Sequence, residues 1–157
     1  MRPCTRPVTV RSTSKGSRSN MSIVVGYAPS AQGTAALRAG IREARSLKED
    51  LVVAAYAYHD PERGKTVPTE EQVRAEVDQL AEGELPPMRV LSSTCDDAGE
   101  FLLEAAQKVS ASLLVIGLRR KSPIGKLNLG AAARRVLLGA PCPVLAVKDA
   151  ARSHAAA

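Results

Sequence analysis

Residues 111–131 read ASLLVIGLRRKSPIGKLNLGA, an aliphatic run that gives way at Gly117 to a basic, glycine-spaced loop. The segment Leu113–Leu118 has the length and β-branched character of a strand. Downstream, Gly139 and Pro141 stop the next helical stretch, and Pro143 precedes a second apolar strand, Val144–Lys148. Strand, loop, helix and strand in this order form a crossover unit of the kind that builds a parallel sheet.

The same alternation runs back toward the N-terminus. Ile23–Tyr27, Leu51–Tyr58 and Met88–Ser92 are three further strand candidates, which makes five. Between the first two, Leu37, Ile41, Ala44 and Leu47 recur at helical spacing behind Ser30, a suitable N-cap. Thr69-Glu70-Glu71-Gln72 reads as a capping box ahead of Val73, Val77 and Leu80. Asp97-Ala98-Gly99-Glu100 opens a third helix with Leu102, Ala105 and Val109 inward, and a fourth runs from about Asn128 or Gly130 to Leu138. Right-handed crossovers then place helices on both faces of the sheet, with ligand sites outside the carboxyl ends of strands. The loops after Tyr27 and Leu118 are the ones to watch.

At 157 residues, with 45% hydrophobic and 24% charged, the chain suits one globular domain with an aliphatic core. Its net charge of +6 is concentrated at the start. Arg2, Arg6, Arg11, Lys15 and Arg18 lie within the first twenty residues without an acid, which leaves the remainder near neutrality. Residues 1–20 lack hydrophobic periodicity and are expected to be disordered, as is the Ala-rich tail 150–157; the domain is expected over 21–149. The bland reading makes residues 1–20 upstream sequence ahead of a start at Met21. A nucleic-acid-binding arm or a targeting peptide are the alternatives, and nucleic acid is the less favoured partner. Cys4, Cys95 and Cys142 form no C-x-x-C pair and are odd in number, which points to a reducing, cytoplasmic compartment. No apolar run is long enough for a membrane span or a signal region.

The glycine spacing from Gly117 to Gly130, followed by Ala140-Pro141-Cys142-Pro143-Val144-Leu145-Ala146-Val147, resembles the universal stress protein family. That family's signature is G-x-x-G, nine residues, G-[S/T], a helix and a closing A-P-C-P-V-L-x-V strand. The opening Ile23-Val24-Val25-Gly26 and the run into Gly117 match in type as well. The resemblance implies an α/β fold, an open five-stranded parallel sheet of order 3-2-1-4-5 of the Rossmann-like, adenine-nucleotide alpha hydrolase-like kind. It also implies ATP as ligand and a homodimer paired through Val144, Leu145, Ala146 and Val147, where an apolar edge strand invites a second chain.

Carried over position by position, Gly117 and Gly130 match the first and third signature glycines. Glycines there let backbone approach phosphate, and the amides opening the next helix favour an anion. Arg120 stands at the second glycine and Ala131 at the Ser or Thr, so a bulky cation enters and a hydroxyl is lost. After the first strand, where nucleotide binders of the family carry V-D-G-S, this chain has Tyr27-Ala28-Pro29-Ser30 and no acid. Arg119, Arg120, Lys121 and Lys126 keep the loop basic, which suits a phosphate-bearing ligand or simply a solvated surface, and Ser122 is a further donor or an ordinary turn residue. The candidate nucleotide set is therefore Tyr27, Ala28, Gly117, Arg119, Arg120, Ser122, Lys126, Gly130 and Ala131.

Catalytic patterns are missing from the sequence. His59, read as the end of the second strand, and His154 have no partners at metal-ligand spacing. There is no G-x-S-x-G elbow and no G-x-x-x-x-G-K-[S/T] loop. Cys142 between two prolines reads as packing, and Asp96 and Asp97 as a helix cap. Three functional readings follow: a stress-response protein acting by binding and dimerisation around a degenerate nucleotide site, a competent ATP or AMP binder with slow ATP hydrolysis, and a nucleic-acid-associated protein using the basic arm.

Overall fold

The computed structural model of the chain describes residues 9–12, 21–81, 83–95, 97–118 and 131–148. In chain order the elements are β1 (Thr9–Ser12), β2 (Ser22–Tyr27), α1 (Ala31–Leu47), β3 (Asp50–Tyr56), β4 (Tyr58–Asp60), β5 (Gly64–Thr66), α2 (Glu70–Leu80), β6 (Met88–Ser93), α3 (Ala98–Lys108), β7 (Ala111–Leu118), α4 (Ala131–Gly139) and β8 (Val144–Lys148). Five of these strands form a parallel sheet in the order β6-β3-β2-β7-β8, the 3-2-1-4-5 arrangement expected.

β2 occupies the centre, and all six of its residues are buried. Alternate side chains enter two separate cores, as a pleated strand requires. Ile23, Val25 and Tyr27 join Leu51 and Val53 beneath α1 and α2, together with Leu37, Ile41, Val73 and Val77. Val24 and Val52 face the other way and meet Phe101, Leu102, Ala105 and Val136 from α3 and α4. The caps follow the sequence. Ser30 caps α1, Thr69 and Gln72 form the capping box of α2 through bonds of 2.9 and 3.1 Å, and Asp97 accepts from the Glu100 amide at 3.0 Å. Asp96 lies outside the described residues.

Three expectations are corrected. The second strand ends at Tyr56, because Tyr58 and His59 belong to the hairpin β4–β5 instead. Its turn is set by Asp60, whose Oδ1 accepts from the amides of Glu62 and Arg63 at 2.8 and 3.0 Å, and by Gly64 at a φ of 76°. Leu47, counted in the helical period of α1, is exposed, since the helix ends there and Lys48 turns into the left-handed region. Finally, residues 9–12, within the segment expected to be disordered, form an antiparallel strand against β6. Backbone pairing to a sheet edge needs no hydrophobic period, so composition gave no sign of it. The tail 150–157, with His154, lies outside the described residues.

Helix α1 lies close to the sheet because Gly40 lacks a side chain: a Cβ there would meet Val25 Cγ2 at 2.1 Å. Gly40→Ala is therefore expected to lower the unfolding free energy by about 1–3 kcal/mol in a urea titration, the usual cost of overpacking. Val25→Ala in the same chain is expected to offset part of that loss.

Tyr27 gives a second test. It is 4% exposed, and burial, then the charge of Glu76 and the proximity of Tyr58, pushes its phenol up to about 12. Below pH 10 the phenol is protonated in both folded and unfolded chains and adds no pH dependence. Between pH 10 and 12 the unfolded chain ionises first, so stability falls by up to about 1.4 kcal/mol per pH unit. Tyr27→Phe is expected to remove this component from the alkaline limb of a stability profile.

Candidate functional site

β2 and β7 pair in parallel, and the chain leaves them in opposite directions across the sheet, β2 toward β3 and β7 toward β8. Their carboxyl ends thus flank the topological switch point, where open α/β sheets form ligand crevices. One side of this rim is the loop after β2. Ala28 is buried, and the Ser30 hydroxyl donates to the Ala28 carbonyl at 3.2 Å while accepting from the Gly33 amide at 3.0 Å. Gly33 permits this fold-back, because a Cβ on it would lie 2.0 Å from the Ala28 carbonyl oxygen.

The other side is the end of β7. A Cβ on Gly117 would lie 2.1 Å from the backbone oxygen of Gln32 and 2.6 Å from its carbonyl carbon. The first signature glycine therefore joins β7 to the first turn of α1. Its role here is steric, and it brings the end of β7 against the first turn of α1 before any ligand is considered.

Helix α4, which opens the far end of the glycine loop, is held by charge. Arg135 donates to Asp97 Oδ2 at 2.8 Å and to Glu100 Oε1 at 3.3 Å. Asp97 thus caps α3 with one oxygen and anchors α4 with the other. The first turns of the two helices also touch, since a Cβ on Gly99 would lie 3.2 Å from the Ala132 carbonyl oxygen. The pair is part-exposed, so its worth is modest, on the order of 1 kcal/mol or less. Its effect is to orient the helix that starts at Ala131.

Across the rim, the Thr34 hydroxyl donates to Glu76 Oε2 at 3.0 Å and ties α1 to α2 beside Tyr27. Tyr27 itself is a core residue whose ring is packed under α1, and Ala28 is buried beside it. Ala131 is exposed at the start of α4. Arg119, Arg120, Ser122, Lys126 and Gly130 lie outside the described residues. Cys142 is part-buried, and burial pushes its thiol up, away from reactivity. Among the described residues no group of three His, Cys, Asp or Glu side chains is placed to hold a metal ion, and His59 is exposed on the hairpin.

Gln32, Gly33, Glu76 and Arg135 were missed by sequence reasoning. Their partners lie in other elements, and pairs 38 or 42 residues apart leave no local spacing to read. Gly33 alone carried a signal, as a glycine in the first turn of a helix, where it is costly without a steric reason.

The fold has counterparts among known proteins. The profile of the universal stress protein family matches residues 20–148. A universal stress protein of Mycolicibacterium smegmatis is 38% identical over 130 residues, spanning 80% of this chain and 96% of the relative. The structure of a universal stress protein from Archaeoglobus fulgidus superimposes with a TM-score of 0.57 at 27% identity, covering 82% of this chain and 98% of that one. A universal stress protein solved in complex with cAMP gives a TM-score of 0.56 at 21% identity, with 82% and 97% covered. The order of its strands, its signature glycines and this profile together make the chain a member of the universal stress protein family.

Proposed function

We propose that this chain is a stress-response protein of the binding and regulatory kind, cytoplasmic and dimeric, that takes an adenine nucleotide weakly at the rim between β2 and β7 and does not turn it over. The observation that carries this reading is the meeting of Gly117 with Gln32. It keeps both halves of the crevice in contact at the switch point while the groups that would grip a nucleotide have been substituted. The cAMP complex of a fold neighbour supports an adenine nucleotide as the ligand class.

In this reading the phosphates face the basic segment with Arg119, Arg120, Ser122 and Lys126, and the amides of Gly130 and Ala131 at the start of α4 supply donors. Ala131 brings no hydroxyl, and Ala28 brings no carboxylate to an adenine amino group or a metal. ATP, the ligand the family resemblance implies, is expected to bind this chain weakly. Calorimetry with ATP and Mg²⁺ tests this. The wild-type chain is expected to bind with a Kd weaker than about 100 μM, and Ala131→Ser with Ala28→Asp is expected to tighten it about tenfold or more, the equivalent of one or two good hydrogen bonds. A saturable low-micromolar isotherm from the wild type would overturn the degenerate-site reading in favour of a competent binder, and phosphate release would then decide between binding and slow ATP hydrolysis.

Dimerisation is proposed through β8. Val144, Leu145 and Val147 are half-buried and Ala146 exposed in a terminal strand of the sheet. Beside it in sequence, Leu137 is 40% and Leu138 84% exposed on the last turn of α4, an apolar surface that a second chain would cover. Sedimentation of the wild type is expected to give a dimer at about 100 μM, and Ala146→Lys combined with Leu138→Asp a monomer. A monomeric wild type at that concentration removes the dimer from the proposal.

A further inference from the structure

The strand β1 has no part in the nucleotide rim or in the proposed dimer edge, which lies at the opposite end of the sheet. It pairs antiparallel with β6 in the register Thr9 with Ser92, Val10 with Leu91, Arg11 with Val90 and Ser12 with Arg89. Without it, β6 would be the terminal strand on that side. β6 is six residues long, carries the buried Met88, Val90 and Leu91, and has Arg89 as its one charge. An edge with its backbone N–H and C=O groups unpaired is a template for another strand.

We propose that the N-terminal segment is an intramolecular edge guard, in which β1 occupies the backbone groups of β6 and thereby prevents a second copy of this chain from pairing there. β1 suits that role by its own poverty as a template. It is four residues long and contains Arg11, and the segment around it adds Arg2, Arg6, Lys15 and Arg18 without an acid. Short length and positive charge are the features by which terminal strands resist further pairing. The covalent link gives β1 an effective concentration at β6 in the millimolar range. Four residues in cis therefore outcompete an equivalent strand supplied by another molecule at lower concentration. The basic arm here serves the sheet edge and needs no nucleic acid to account for it.

The test compares the full chain with a chain beginning at Met21, by amide hydrogen exchange resolved to residues 88–93 and by sedimentation over a range of concentrations. In the full chain every amide of Arg89–Ser92 is expected to be protected, alternate ones through β3 and through β1. In the dilute shortened chain the β1-facing amides are expected to lose about 100-fold of their protection while their neighbours keep theirs. At higher concentration the shortened chain is expected to associate beyond the state of the full chain, with β6 protection returning. Unchanged protection on shortening overturns the pairing, and lost protection without new association up to about 1 mM, the range set by the effective concentration, overturns the guard.

If the shortened chain does not fold, full-length Val10→Pro and Arg11→Pro carry the test. Only alternate residues of an antiparallel strand bond to a given neighbour, and proline removes one donor. One of the two variants is expected to open β6 amides and promote association, and the other to leave both unchanged. Equal silence from both overturns the proposal.

Discussion

The burial of β2 on both faces and both edges governs the rest of the molecule. With β3 on one side and β7 on the other, every residue from Ser22 to Tyr27 is buried. Its side chains divide between two cores, so helices must cover both faces. A parallel sheet covered in this way leaves only the strand ends and the terminal strands open. The ends of β2 and β7 form the candidate rim, and the terminal strands are β1 and β8.

Close backbone approach then shapes the crevice. Gly40 lets α1 settle on Val25, and Gly117 lets the end of β7 touch the first turn of the same helix. The loop after β2 folds back through Ser30 and Gly33 onto Ala28. On the opposite face Arg135 reaches from α4 to the first turn of α3, where Asp97 is already a cap. The rim is thus built by packing that precedes any ligand. This separates two roles that a signature glycine can have. Gly117 is required by the architecture of the rim, whereas Ala28 and Ala131 stand where the family pattern has an acid and a hydroxyl.

The five parallel strands, their order, the four helices and three of the caps were legible in the sequence, because each is written in local spacing: alternating aliphatic runs, helical periods, Ser30, Thr69 with Gln72, and Asp97. Tyr58 and His59 of the hairpin were read as the end of a strand, since Leu51–Tyr58 is apolar throughout and the turn residues Asp60, Pro61 and Gly64 follow only after it. Tyr27 was a ligand candidate at the end of the first strand, and the fold packs it into the core. The strand at Thr9–Ser12 was invisible because its partner, β6, is some eighty residues away and the pairing is made by backbone.

By itself the sequence determined the family, the α/β architecture and the substitutions at Ala28, Arg120 and Ala131, since these depend on residue identity and on periods of a few residues. Tertiary structure alone decided that Gly117 abuts Gln32, that Asp97 serves two helices through Arg135, and that Thr9–Ser12 pair with β6. Each of those is a contact between elements distant in the chain, fixed by packing distance and backbone bonding, for which no local pattern of residues is required.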